Sequence, residues 1–280
     1  MSDPTSVLAP ALQIAKLAER SLRMELDTWP KPGLVSHIDS GSHADMTAET
    51  FRQSASTLQP FFAELALAGM LEESMPALRE IGLRAERAML EATRGVNTHR
   101  GAIFGLGLLC AAAGARAAGR IDGTRSLGDS VSARWGGGIL DGPLWLDSHG
   151  GRALIRFGAG GARLEAYRGF PSVYQIGLAA LRRGLRSLPH DPEAARVEAC
   201  FALIAVLEDT NLLHRGGPLG LQFAQRAARA FLDQGGVGKP GWRKRAQAVH
   251  ESFVARRLSP GGSADLLAMT LFVDAFDGVR

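Results

Sequence analysis

Along most of the chain, apolar residues recur at the three- and four-residue spacings of an amphipathic helix. Leu12, Ala15, Leu22 and Leu26 share one face of a first helix, which the Trp29-Pro30-Lys31-Pro32-Gly33 segment stops, since proline lacks the N–H a helix interior needs. Phe51, Leu58, Phe62 and Leu65 mark a second helix beginning near Thr47. Leu78, Ile81, Ala85, Ala88 and Ala92 mark a third, with Pro76 in its first turn and Gly95 past its end, each where that residue type is favoured. The same periodicity predicts helices at about 98–118, 123–134, 172–187, 191–208, 218–234, 240–257 and 263–276. No alternating run is long enough to establish a sheet, and Leu154-Ile155-Arg156-Phe157 makes at most one short strand. The expected fold is all-α, a single domain of about ten helices spanning residues 1–280.

Glycine punctuates this pattern. There are 34 among 280 residues, above the usual share of roughly 7%, clustered at 136–138, 150–151, 158–161, 216–217, 235–238 and 261–262. Some end helices, and others let backbone approach a ligand closely. Residues 136–171 are the least helical stretch. That length exceeds a plain connector, and long loops in compact domains are often functional.

Composition narrows the function classes. Aromatic residues make up only 6%, which argues against a base-stacking nucleic-acid binder. The formal charge of +4 is scattered in short runs such as Arg182-Arg183 and Arg243-Lys244-Arg245, which suits an anionic small substrate as well as a solvated surface. Cys110 and Cys200 lie in apolar helical stretches and read as buried thiols of a reducing cytoplasm. The N-terminal region lacks the compact apolar core of a secretory signal. The longest uncharged run, Gly101 to Ala115, is shorter than the roughly 20 residues that span a bilayer. No membrane association is expected.

Four segments place polar residues beside Gly or Pro at a boundary between helices: 31–46, 97–101, 208–217 and 259–265. Asn97-Thr98-His99-Arg100-Gly101 and Asn211-Leu212-Leu213-His214-Arg215-Gly216-Gly217 resemble each other, and each leads into an apolar helix. Helix N-termini such as those expected at Thr98-His99-Arg100-Gly101 and Gly261-Gly262-Ser263 favour phosphate, and Arg and Lys add charge. Each feature also has a plain reading. Ser263 and Thr47 suit ordinary N-caps, and Asp45 a surface acid favoured by a helix dipole. Glu208-Asp209 is expected at a helix C-terminus, against the dipole, and therefore asks for Arg215 or a metal as compensation. His37 and His43 do not form a zinc pattern. Gly158-Ala159-Gly160-Gly161 is no dinucleotide fingerprint, and neither a Walker A sequence nor a Gly-x-Ser-x-Gly elbow is present.

Taken together, these segments resemble the triphosphoribosyl-dephospho-CoA synthase family. The likeness runs in order through Pro30-Lys31-Pro32-Gly33-Leu34-Val35, Gly41-Ser42-His43-Ala44-Asp45-Met46, Gly95 to Phe104, His149-Gly150, Gly161 to Ala166 with Gly169-Phe170-Pro171, Asp209 to Gly217 and Ser259 to Ala268. It covers about residues 25–275, and the 209–217 segment looks more like the malonate decarboxylase branch than the citrate lyase branch. One departure is Leu164, where the family usually has Gly.

The resemblance implies transfer of the triphosphoribosyl group of ATP to the 2′-hydroxyl of 3′-dephospho-CoA, releasing adenine. The product passes to a second transferase acting on an acyl carrier protein. Breaking an N-glycosidic bond implies an oxocarbenium-like transition state, and a triphosphate implies Mg²⁺. The implied roles are as follows. Lys31, Arg100 and Arg215 clamp phosphates, with His99 and His214 as neighbouring donors; His99 also counts as catalytic and Ser263 as substrate-binding. Asp45 and Asp209 hold Mg²⁺, with Asp39 or Asp265. Glu165 is the general base or stabilises the ribosyl cation, with Asp209 also catalytic; Arg163 contacts the CoA diphosphate; Asn97 and Asn211 orient ribose hydroxyls. A homodimer is an open expectation, and no nucleic-acid partner is expected. Two other readings stay open: an all-helical Mg²⁺-dependent N-glycoside hydrolase that gives the sugar to water, and a non-catalytic module binding CoA or an acyl carrier.

Overall fold

A computed structural model describes residues 4–142, 155–156 and 158–278, and among these there are eleven α-helices in the element order and no strand. They are α1 (Pro4–Leu26), α2 (Ala48–Met70), α3 (Met75–Ala92), α4 (Arg100–Ala117), α5 (Leu127–Leu140), α6 (Gly161–Tyr167), α7 (Leu178–Ser187), α8 (Pro192–Val206), α9 (Thr210–Asp233), α10 (Trp242–Ala255) and α11 (Gly261–Gly278). A π-helical turn, Ser172–Gly177, leads into α7, and a 3₁₀ turn, Gly236–Gly238, precedes α10. Ile155 and Arg156 are helical, not extended. Leu154, Phe157 and His149-Gly150 lie outside the described residues. No helix among the described residues is long and apolar enough to cross a membrane.

Three helices form the centre. In α4 every residue from Ala102 to Ala115 except Phe104 is buried; α8 and α11 are buried almost all round at Val197–Ala205 and Leu266–Val273. A helix apolar on all sides has to be enclosed, and the amphipathic helices supply the wrapping. Small residues let the layers close tightly. A Cβ on Gly69 of α2 would fall 1.8 Å from the Ala111 carbonyl oxygen of α4, and one on Gly114 would fall 2.0 Å from the Ala66 carbonyl oxygen. The crossing of α2 and α4 is therefore backbone against backbone. Cys110 and Cys200 are buried free thiols, and burial pushes Cys200 up to about 12.

Helix starts follow local chemistry. Thr47 caps α2 in a reciprocal capping box with Thr50, and Asp191 accepts the Ala194 N–H at the start of α8. The main departure from the pattern-based expectation is α9, which begins at Thr210 rather than near 218. Asp209 is its N-cap, and the helix continues to Gly217, where a φ of 60° with Pro218 behind it breaks the regular path. Asp209 thus lies at the favourable end of a dipole, because α8 has already ended at Val206. Ser263 is not an N-cap either: it sits in the first turn of α11, where its N–H and hydroxyl both donate to Asp209 Oδ2.

Gly114→Ala should lower stability, although Ala is the better helix former by about 1 kcal/mol. The methyl group meets a carbonyl that cannot rotate away, so we expect a net loss of about 1–3 kcal/mol, read as a reduced urea midpoint. A rise in midpoint would show that α2 and α4 are not in backbone contact.

Candidate active site

The segment between α1 and α2 folds back over the end of α10 and the turn that leads into α11. Gly33 makes this closure feasible: its φ is +66°, and a Cβ there would fall 2.0 Å from the Leu258 carbonyl oxygen. Ser42 Oγ donates to that same carbonyl at 2.6 Å. From this segment Lys31 turns inward and is fully buried, with its ammonium against the Glu25 carboxylate in the last turn of α1. Burial raises the Glu25 carboxyl above its ordinary value, and the Lys31 charge opposes that rise.

The first turns of α4, α9 and α11 meet beside this pair. Asp209 is 1% exposed and joins two of them. Its Oδ1 accepts the N–H groups of Asn211 (2.9 Å) and Leu212 (3.4 Å) in α9. Its Oδ2 accepts the Ser263 N–H (2.8 Å) and hydroxyl (3.1 Å) in α11. Asp265 ties in the third, accepting the Ala102 N–H of α4. Gly101 permits this, because a Cβ there would fall 2.1 Å from the Asp265 carboxylate. Burial, with Glu25 and Asp209 nearby, raises the Asp265 carboxyl well above its usual range. Burial also raises Asp209, against the pull of its four donors.

His99 closes the inner group. It is 4% exposed, with Nδ1 2.6 Å from Ser54 Oγ of α2. Thr98 Oγ1 donates to that Ser54 oxygen at 2.8 Å. Burial, and then the charge of Lys31, lower the His99 pKa to about 3, so the ring is neutral.

A second group lies outside the first. Arg215 donates to the Ser42 and Arg257 carbonyls, both at 3.3 Å, and approaches His43 Nδ1 at 3.2 Å. His43 Nε2 is 2.8 Å from Ser259 Oγ, and the exposed Asp45 is 3.7 Å from His43. Asp39 sits further along the segment, accepting the Gly41 N–H at 2.9 Å and facing His250 Nε2 at 3.3 Å.

The remaining sequence-predicted residues are more dispersed. Asn97 accepts the Arg100 N–H, and Arg100 forms an exposed ion pair with Glu86 of α3. Arg163 donates to the carbonyls of Ile139, Leu140 and Gly142 at the end of α5. Glu165 accepts the Ser172 N–H and hydroxyl, and burial raises its carboxyl. Asn211 packs against Gly261, and His214 is exposed on α9. Among the described residues, no group of three His, Cys, Asp or Glu side chains is placed to hold a metal ion.

The family model for ATP:dephospho-CoA triphosphoribosyl transferase matches residues 11–280. The chain belongs to this family. It is 41% identical over 282 residues to a Pseudomonas fluorescens protein named probable 2-(5″-triphosphoribosyl)-3′-dephosphocoenzyme-A synthase, covering 99% of this chain and 95% of that one. A Klebsiella pneumoniae protein named 2-(5″-triphosphoribosyl)-3′-dephosphocoenzyme-A synthase is 38% identical over 280 residues, covering 95% and 91%. A Pseudomonas putida relative with the probable form of that name is 38% identical over 281 residues, covering 98% and 97%. No solved structure matches the chain.

Sequence reasoning missed Glu25, Ser54 and His250, and gave Ser259 a place in a polar segment but no role. Glu25 had a signal: it lies three residues after Leu22, on the buried stripe of α1, and a charge there requires a partner. Ser54 and His250 have no local signal, because both lie on helices and meet their partners only through the tertiary fold.

Two outcomes test this geometry. Asp209→Ala should cost about 3 kcal/mol or more, because it strands buried N–H groups on two helices; an unchanged midpoint would mean the junction is not held by this carboxylate. The His99 prediction is about pH. Below pH 6.5 the unfolded chain protonates this imidazole, while the folded chain refuses the proton until about pH 3. Stability should therefore fall with pH through that window, by about 1.4 kcal/mol per unit from this group. His99→Gln removes that contribution, so its midpoint should change less than the wild-type midpoint between pH 6.5 and 5. Equal changes would contradict a buried neutral imidazole.

Proposed function

We propose that this chain transfers the 5-triphosphoribosyl group of ATP to the 2′-hydroxyl of 3′-dephospho-CoA and releases adenine. The observation that carries the reading is the junction of three helix N-termini around Asp209 and Asp265, in a chain that the family model matches from residue 11 onwards. The carboxylates at the junction favour a developing ribosyl cation, and Arg215 beside His43 supplies positive charge for the triphosphate.

In the reaction the ribose C1′–N9 bond breaks and a bond from C1′ to the acceptor 2′-oxygen forms. The hydroxyl proton leaves to a base, and adenine departs with a proton or a hydrogen bond at its nitrogen. We assign the base to Glu165, whose raised carboxyl is suited to accepting a proton. Neutral His99 serves as a hydrogen-bonding partner without adding charge. Arg215, near the rim, takes phosphate oxygens with His43. Lys31 is held inside by Glu25 and sets the potential of the site. Arg163 acts from behind, by holding the end of α5.

Mg²⁺, if bound with the triphosphate, would neutralise phosphate charge and orient its oxygens. The donor set suits an ion held mainly by phosphate and water with one or two carboxylates, which is the usual manner for Mg²⁺. Asp265 is the nearer of these carboxylates and Asp45 the outer. The oxygens of Asp209 already accept four hydrogen bonds, so we give it the organising role. The 209–217 segment leads us to assign the product to a malonate decarboxylase acyl carrier system through a second transferase. We also place the chain in the cytoplasm, consistent with its free buried thiols.

Adenine release from ATP should require both dephospho-CoA and Mg²⁺. Release that ignores dephospho-CoA would replace the transferase with a hydrolase. Asp265→Asn, which preserves shape, should lower kcat by about a hundredfold or more with an unchanged helical circular-dichroism signal. Near-normal turnover would remove Asp265 from the chemistry.

A further inference from the structure

On the outer side of the Trp29-Pro30-Lys31 segment lies a cavity of about 340 Å³, between the α1–α2 segment and α10. This volume is at the small end of ligand pockets. Trp29, Asp39 and His250 line its inner part; Gln247 and Glu251, one turn apart on α10, line its outer part. Trp29 Nε1 donates to Asp39 Oδ2 at 3.4 Å, and His250 Nε2 faces Asp39 Oδ1 at 3.3 Å. On its other side His250 Nδ1 meets the Lys31 carbonyl at 2.6 Å, so that nitrogen carries the proton. The same residue therefore touches both the cavity and the backbone of the buried lysine.

The chemistry of this lining selects its occupant. Two carboxylates repel phosphate, so the charged end of a nucleotide is excluded. An aromatic side chain beside hydrogen-bond acceptors suits a flat heterocycle with an exocyclic amino group. Glu251 accepts from Gln247 Nε2 at 2.9 Å, and the pair offers an acceptor-rich edge. An organic cation is the weaker match, because the Asp39 carboxylate already faces Trp29, Gly41 and His250. Position agrees with this choice. Asp39 and His43 are four positions apart, so at most about 14 Å of chain links the cavity to the histidine beside Arg215. That span accommodates a nucleoside with its phosphates pointing toward the arginine.

We infer that the Trp29–His250 cavity binds the adenine base of a substrate nucleotide. This rests on the transferase reading for which nucleotide it is, since both ATP and dephospho-CoA carry adenine. The ligand chemistry itself does not depend on that reading.

The test uses the full chain and adenosine, which has no phosphate. Calorimetric titration should show adenosine binding to the wild type. The double substitution Gln247→Ala with Glu251→Gln, on exposed positions of α10, should weaken it about fivefold to tenfold. In steady-state assays the same variant should raise KM for one nucleotide by a similar factor. The KM that moves identifies whether ATP or dephospho-CoA occupies the cavity. Unchanged adenosine affinity and unchanged KM for both substrates would overturn the inference, as would binding of tetramethylammonium without adenosine. Adenosine binding with no dephospho-CoA-dependent adenine release by the wild type would fail the transferase reading alone.

Discussion

One carboxylate holds the active region together. Asp209 satisfies N–H groups of two helices that do not follow one another in sequence, α9 and α11. The first N–H groups of any helix have no partner within it. Bringing two such ends together in the interior would leave those donors stranded and two partial positive charges facing each other. An acceptor with two oxygens, at the meeting point, removes both difficulties. Asp265 repeats the device between α11 and α4, one step further round.

The surrounding charges follow from this arrangement. Glu25, Asp209 and Asp265 influence one another, while Lys31 is the buried ammonium among them and His99 is neutral. Taking acids out of water raises their proton affinity, and the three carboxyls all move upward. Burial lifts all three, while the Lys31 charge at Glu25 and the hydrogen-bond donors at Asp209 and Asp265 pull the other way.

Much of this was legible in the sequence. Helical periodicity gave ten of the eleven helices in order, because amphipathic faces record which side is enclosed; it missed the short α6, inside the stretch read as least helical. The polar segments beside Gly and Pro do lie at helix ends, and three of them meet. Periodicity failed at 208–217, where Asn211-Leu212-Leu213 carries too little apolar pattern to reveal a helix, and Gly216-Gly217-Pro218 looks like a connector. The error reversed the dipole assigned to Asp209. Pairings such as Ser54 with His99, or His250 with Lys31, join residues 45 and 219 positions apart, and no local spacing encodes them. Charge on a buried face, as at Glu25, is the one such signal a sequence does carry.

The glycine contacts between α2 and α4 have a mechanical meaning. Gly69 and Gly114 bring main chain against main chain at one end of α4, where no rotamer can adjust to absorb an error. The other end of the same helix carries His99 and Gly101, about 21 Å away along the axis. A rigid rod clamped at its base fixes the aim of its tip. The alignment of the histidine with its serine thus rests partly on a mount remote from the chemistry, together with the Asp265 contact at the tip.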